Sequence, residues 1–199
     1  MSSLSALFRD LLHLRQYRAA HQRTGVPWWM RIAYFRNVIR HRALSDWRGG
    51  YVYGTDGRLV AVPSHVDSAA GHRLLKPSIR FNLVDTVCRE GDFVFDIGAN
   101  IGDYTLQMAQ RVGPTGRVVA FEPVPYLADT IRKTARINRH DWVKVLSLAV
   151  SSSEGRSVFS VERGNSGGSR LGRKDGDFYQ IEVETIRLDA FISRHPEID

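Results

Sequence analysis

Two carboxylic acids and the cramped stretch of chain beside the first carry the chemistry that this sequence can be read for. Asp96 belongs to a short apolar run, Phe93, Val94, Phe95 and Ile97, which breaks into Gly98, Asn100 and Gly102 at every second position. Glycine, and asparagine among the other residues, tolerates left-handed backbone angles, so the chain can reverse sharply at each of the three and lay bare backbone against a ligand. Glu122 follows 24 residues after Gly98. A nucleotide-binding βαβ unit sets a carboxylate on ribose hydroxyls roughly 20 residues after its glycine turn. An acid, a tight turn and a second acid at that spacing predict a nucleoside site.

The glycine spacing bears on which nucleoside. A dinucleotide site reads GxGxxG, with the third glycine at a helix amino end that faces a pyrophosphate. Here Asn100 replaces the second glycine and Asp103 stands at the place of the third. An acid at that end repels a pyrophosphate but not a cofactor that carries an ammonium and a sulfonium. S-adenosylmethionine is therefore favoured over NAD, with a nicotinamide-dependent oxidoreductase as the alternative enzyme.

These residues need a scaffold, and the pattern supplies one. The run 93–97 reads as a fully buried central strand, with Asp96 at its carboxyl end, where open α/β sheets bind ligands. Further parallel-type strands near 117–121 and 143–149 alternate with helices over 105–112, closed by Gly113 and Pro114, and over 125–138, opened by Pro125. That is the βαβαβ amino-terminal half of a doubly wound, Rossmann-like α/β sheet. Upstream, 51–63 reads as a hairpin around Gly54, Asp56 and Gly57, and 77–89 as a helix stopped by Gly91. Residues 164–176 hold five glycines and form either a plain hairpin loop or a lid over the acceptor. The chain thus divides into a helical extension over 1–50, a hairpin and lead-in helix over 51–92, and the Rossmann-like domain over 93–199.

The sequence resembles the FkbM-type S-adenosylmethionine-dependent methyltransferases. The resemblance rests on VFDIGANIGDYT at 94–105, VVAFEPVP at 118–125, LAVSSSEG at 148–155 and NSGGSRL at 165–171, with YVYGTDGRLVAVP ahead of them and ETIRLDAFI behind. It implies a class I methyltransferase fold and O-methylation of a sugar, glycan or other hydroxylated metabolite. Carried over by position, Asp96, Gly98, Ala99, Asn100 and Gly102 surround the methionine portion of the cofactor, and Glu122 takes both ribose hydroxyls. Tyr104 and Thr105 match the aromatic and hydroxyl positions that end the first motif, near the cofactor. Ala149 and Val150 match the adenine position, although two apolar residues at a strand end also suit ordinary core. The resemblance leads one to expect a later strand ending in IKIDVEG or similar, and the sequence stops at Asp199 without it. The expectation is a chain cut at its carboxyl end, with a degenerate protein as the alternative. Its first strand is then a sheet edge, prone to aggregation or to dimerisation through unpaired amides.

A catalytic base is not legible. His65, His72, Asp103 and Asp189 are candidates by residue type, each with an ordinary surface or structural role as the alternative, since geometry identifies a base before its pKa does. No His or Cys cluster has metal-ligand spacing, so no metal is expected. The lone Cys88 excludes an internal disulfide and sits among Leu83, Val84 and Val87 as a buried thiol. Neither a run of roughly 18 apolar residues nor a signal-peptide core occurs, which fits a reducing cytoplasmic setting.

The charge is uneven. Residues 1–50 carry nine arginines against Asp10 and Asp46, a balance of +7, and the remaining 19 basic and 19 acidic residues cancel. Within this extension Leu4, Leu7, Phe8, Leu11, Leu12 and Leu14 recur at helical spacing, and a second stripe begins after Pro27 with Trp28, Trp29, Ile32, Phe35, Val38 and Ile39. The stripes either pack on the catalytic body or lie on an anionic membrane surface; nucleic acid is not the expected partner. A noncatalytic basic adaptor working through this segment is the third functional reading. Packing on the body is the favoured role, because most amphipathic helices face a core. A peptide of residues 1–50 should therefore show no preference for anionic over neutral liposomes in a sedimentation assay, and strong salt-sensitive binding to the anionic ones alone would assign it to the membrane.

Overall fold

The computed structural model describes residues 51–53, 59–61, 83–163 and 165–196. The helices expected within 1–50, the hairpin turn at Gly54, Asp56 and Gly57, the first part of the lead-in helix, His65 and His72 lie outside the described residues. Strands β1 (Tyr51–Tyr53) and β2 (Leu59–Ala61) pair antiparallel, as the hairpin pattern predicts. Helix α1 (Leu83–Val87) then leads into strand β3 (Phe93–Ile97). No helix among the described residues is long and apolar enough to cross a membrane.

The βαβαβ unit forms as expected. β3, β4 (Arg117–Phe121) and β5 (Val143–Leu146) are parallel and in the order β3-β4-β5, connected by α2 (Asp103–Val112) and α3 (Pro125–Ile137). α3 buries Leu127, Ile131, Thr134 and Ala135, a single stripe at helical spacing, and α2 buries Thr105, Leu106, Ala109 and Val112. Pro125 occupies the first turn of α3, where its missing N–H costs nothing. Gly113 ends α2 at φ 66°, with its N–H donating to the Ala109 carbonyl at 3.2 Å.

Two expectations are corrected. The fully buried central strand is β4, not β3: Val118, Val119, Ala120 and Phe121 are all buried, whereas Phe93, Val94 and Phe95 are half-buried and Ile97 is 52% exposed. Among the described residues β3 has a partner on one side only, so one face of its ladder is uncovered. The strand expected over 143–149 is two strands. β5 stops at Leu146, and β6 (Ala149–Val150) pairs in parallel with the distant β9 (Phe178–Ile186) in a second sheet. At the break the Arg132 guanidinium donates to the Val145 carbonyl at 3.1 Å and to Ser147 Oγ at 2.9 Å, holding the chain where it leaves the first sheet.

The second sheet has the order β6-β9-β7-β8, with β7 (Gly155–Glu162) and β8 (Arg170–Leu171). β9 alternates as a half-buried strand should: Val183 and Thr185 point inward, while Gln180, Glu182 and Glu184 face water. Residues 165–169 connect β7 to β8 through a 3-10 turn (Ser166–Gly168). Helix α4 (Leu188–Ser193) follows β9 and returns to the first sheet. Its Phe191 meets Phe121 edge to face, with centroids 5.2 Å apart, and Phe95 at 6.1 Å, so one aromatic cluster fastens the two sheets together. Phe191→Ala should cost about 3–5 kcal/mol, the usual loss for a buried aromatic truncated to alanine, read from urea unfolding; a loss below about 1 kcal/mol would place the fastening elsewhere.

Candidate functional site

The turn between β3 and α2 takes the conformation that its composition requires. Gly98, Asn100 and Gly102 have φ of 74°, 54° and 84°, so all three positions are left-handed. The amides of Gly98 and Ala99 both donate to the Phe121 carbonyl, at 2.9 and 3.1 Å, which bends the turn over the end of β4. Because β3 and β4 run in register, with Ile97 opposite Phe121, the turn and Glu122 emerge at the same rim of the sheet.

Glu122 is 4% exposed. One carboxylate oxygen accepts the Asn100 N–H at 2.7 Å and the other accepts the Val124 N–H at 2.9 Å. Burial pushes its pKa up to about 7 against the pull of those two donors, and the charge of Asp96 adds to the rise. Asp96 is also buried, and Thr105 Oγ1 donates to it at 2.5 Å. Burial raises its pKa, the Thr105 hydrogen bonds lower it, and nearby Asp103 raises it further.

A cleft of about 310 Å³ opens on Glu122, within the lower range of small-molecule sites, roughly 300–1,000 Å³. Of the residues predicted from sequence, Gly98, Asn100, Glu122, Ala149 and Val150 line it. Asp96 and Thr105 do not; they are bonded to each other beneath the turn. Ala99 packs beside Ala120 and Ile131. Gly102 lies against Ile131, whose Cγ1 would stand 3.1 Å from an added Cβ, so its lack of a side chain lets α2 approach α3. Tyr104 packs against the core cluster of Val84, Cys88, Ala109, Val112 and Val118. Asp103 accepts from Gln107, and Asp189 is ion-paired with Arg187 on the surface, so neither candidate base lines the cleft.

Sequence reasoning missed several lining residues. Phe159 on β7 carried no signal beyond an apolar position in a strand. Ser166, Gly167, Ser169 and Leu171 belong to the NSGGSRL stretch, whose pattern of a loop or a lid gives its members no individual roles. Ser166 joins the turn after β3 directly: Asn100 Nδ2 donates to Ser166 Oγ at 2.8 Å. The cleft therefore has a polar end at Glu122, Asn100 and Ser166, and an apolar one at Leu148, Ala149, Phe159 and Leu171.

The raised pKa of Glu122 has a thermodynamic sign. Between 4.5 and about 7 the folded state keeps a proton that the unfolded chain has released, so this group's contribution to stability falls as pH rises through that window and is level above it. The span corresponds to about 3 kcal/mol at most. Glu122→Gln removes the term, so wild type should gain on the variant in urea unfolding free energy by about 2–3 kcal/mol on going from pH 8 to pH 5. An unchanged or opposite difference would contradict the buried-acid assignment.

No curated protein matches the chain. Among solved structures, a candidate rRNA methylase of Clostridium thermocellum is 28% identical over 32% of this chain and 35% of its own, with a TM-score of 0.31. A SAM-dependent methyltransferase of Aquifex aeolicus is 26% identical over 29% of this chain and 31% of its own, with a TM-score of 0.28. A SAM-dependent O-methyltransferase of Thermotoga maritima is 12% identical over 69% and 78%, with a TM-score of 0.31. The matches span about a third of the length of the first two of these proteins. The family model for the methyltransferase FkbM domain matches residues 96–199, which begins at the acid beneath the turn and takes in Glu122 and the NSGGSRL segment. More than half of the sequence falls within that match, and the chain belongs to the FkbM methyltransferase family.

Proposed function

We propose that this chain binds S-adenosylmethionine in the cleft and transfers a methyl group to a hydroxyl of a sugar, glycan or other hydroxylated metabolite. The observation that carries the reading is the buried Glu122 carboxylate, clamped by the amides of Asn100 and Val124 and open to the cleft beside a left-handed turn. Each carboxylate oxygen has two lone-pair directions, so both can accept a further hydrogen bond while keeping the amide. That arrangement suits two adjacent ribose hydroxyls. The apolar surface supplied by Leu148, Ala149, Val150 and Phe159 suits a purine ring. When bound, S-adenosylmethionine supplies a methyl group on an electrophilic sulfonium.

The chain's own part is binding and alignment. Glu122 fixes the sugar end, Ala149 and Val150 flank the base, and the bare backbone at Gly98 and Asn100 lets the methionine end lie close to the turn. Ala99 and Gly102 are part of that turn, the bond between Asp96 and Thr105 braces it, and Tyr104 packs into the core beside α2. Methyl transfer is an in-line displacement, so holding the acceptor hydroxyl on the axis of the breaking bond is the larger contribution. The acceptor class follows the family resemblance and the O-methylation that it implies.

Isothermal titration of the full chain tests the reading. S-adenosylmethionine and S-adenosylhomocysteine should bind, NADH should not, and Glu122→Ala should weaken binding roughly 10- to 150-fold, the loss of about 1.5–3 kcal/mol expected for hydrogen bonds to a charged group. Saturable NADH binding with no response to S-adenosylhomocysteine would favour the oxidoreductase instead.

A further inference from the structure

We infer that Ser166 is a positioning residue for the cofactor end of the cleft: acting through Asn100, it sets the turn that presents the binding carboxylate. The inference rests on the proposed S-adenosylmethionine site and deepens it. It gives the NSGGSRL segment the role of a brace on the turn rather than a lid over the acceptor.

Asn100 is the junction. Its backbone is left-handed at φ 54°, a conformation that costs a non-glycine residue energy unless its surroundings hold it. Three contacts do so. Its N–H donates to Glu122, its Oδ1 accepts the Ile101 N–H at 2.9 Å, and its carboxamide meets Ser166 Oγ, with the Nδ2 contact at 2.8 Å and Oδ1 at 3.2 Å. Ser166 is 4% exposed, so its hydroxyl is held in a fixed place against the half-buried Asn100. Removing the hydroxyl takes away the contact that ties the carboxamide to the second sheet. The turn then relaxes, and the Asn100 N–H that aligns Glu122 moves with it.

The segment that carries Ser166 is built to stay in place. Asn165 Nδ2 donates to Glu162 at 3.3 Å on one side of the 3-10 turn, and on the other Ser169 Oγ accepts the Glu162 N–H at 3.0 Å. The Glu162 carboxylate lies 1.6 Å from where a Cβ at Gly168 would stand, so a side chain there would have to push that carboxylate aside. A loop tied at both ends to the second sheet, and bonded to a turn on the first, transmits its position to that turn. A swinging lid would lack these ties.

The experiment is a double-mutant cycle on the full chain, titrated with S-adenosylhomocysteine. Ser166→Ala should weaken binding about 3- to 10-fold, the scale of one net buried hydrogen bond, and Ser166→Thr, which keeps the hydroxyl, should return it to within twofold. Adding Ser166→Ala to Asn100→Ala should cause no further loss, because the serine acts through the asparagine. The acid limb of the affinity–pH profile should also move to higher pH in Ser166→Ala, since a loosened Asn100 N–H no longer favours the ionised form of Glu122, whose nearby charged group is Asp96. Binding by Ser166→Ala within twofold of wild type, failure of the threonine to restore affinity, or independent losses from the two alanine substitutions would overturn the inference while leaving the proposed function standing. Absence of binding by the wild-type chain would remove both.

Discussion

The structure around the cleft depends on keeping one carboxylate out of bulk water without stranding it. A buried polar group that loses its hydrogen bonds costs several kcal/mol, and an ionised one costs more. Two backbone amides that converge on Glu122 from different directions offset part of that cost, and the part they do not offset raises its pKa. One is available only because the chain reverses at Asn100. The other belongs to Val124, the residue before α3; Pro125 after it has no N–H, so the Val124 amide stands just outside the positive end of the helix. The identities of Asn100, Val124 and Pro125 are thus read together, as the surroundings that one acid needs.

Where the cleft lies follows from where the sheets part. After Leu146 the chain abandons the first sheet, and Ala149 and Val150 take their neighbours from β9. The gap opened at that divergence is walled by Ile97 and Phe121 on one side and by Phe159 and Leu171 on the other. A cleft between two sheets keeps a fixed width only if the sheets cannot slide. The cluster of Phe95, Phe121 and Phe191 supplies that constraint with apolar contacts and edge-to-face rings. Phe121 serves both functions, since it lies in that cluster and lines the cleft.

Local chemistry was legible in the sequence, and long-range pairing was not. The left-handed turn could be read from Gly98, Asn100 and Gly102 because the residues that tolerate positive φ are few. Helix limits at Gly113 and Pro125 were legible for the same reason. The break after Leu146 was not, because VKVLSLAV, apolar at six of its eight positions, reads as one strand, whereas its last part finds its partner in β9, far along the chain. The inward face of Thr105 could have been found from helix spacing, as it shares a stripe with Ala109 and Val112. Ser166 had no local signal of its kind; its bond to Asn100 crosses 66 residues. Burial of β3 was overestimated because an apolar composition reports what a strand can bury, whereas burial itself is set by its neighbours.

The two acids divide the work. Asp96 takes its donor from Thr105, nine residues on, and that bond ties the end of β3 to the first turn of α2. It is a local brace, which is why it survives on a strand with a single described neighbour. Glu122 depends on amides from two separate segments and faces the cleft. Burial raises both acids, and the charge of Asp96 adds to the rise of Glu122. With Asp103 close by, the rim of the sheet collects negative charge in a poorly solvated place, where Coulomb interactions are stronger than in water. A ligand carrying positive charge relieves that repulsion, and one carrying phosphate adds to it. In the proposed site, the ionised fraction of these acids would favour a sulfonium nucleoside over a nucleotide without any contact to the distinguishing group.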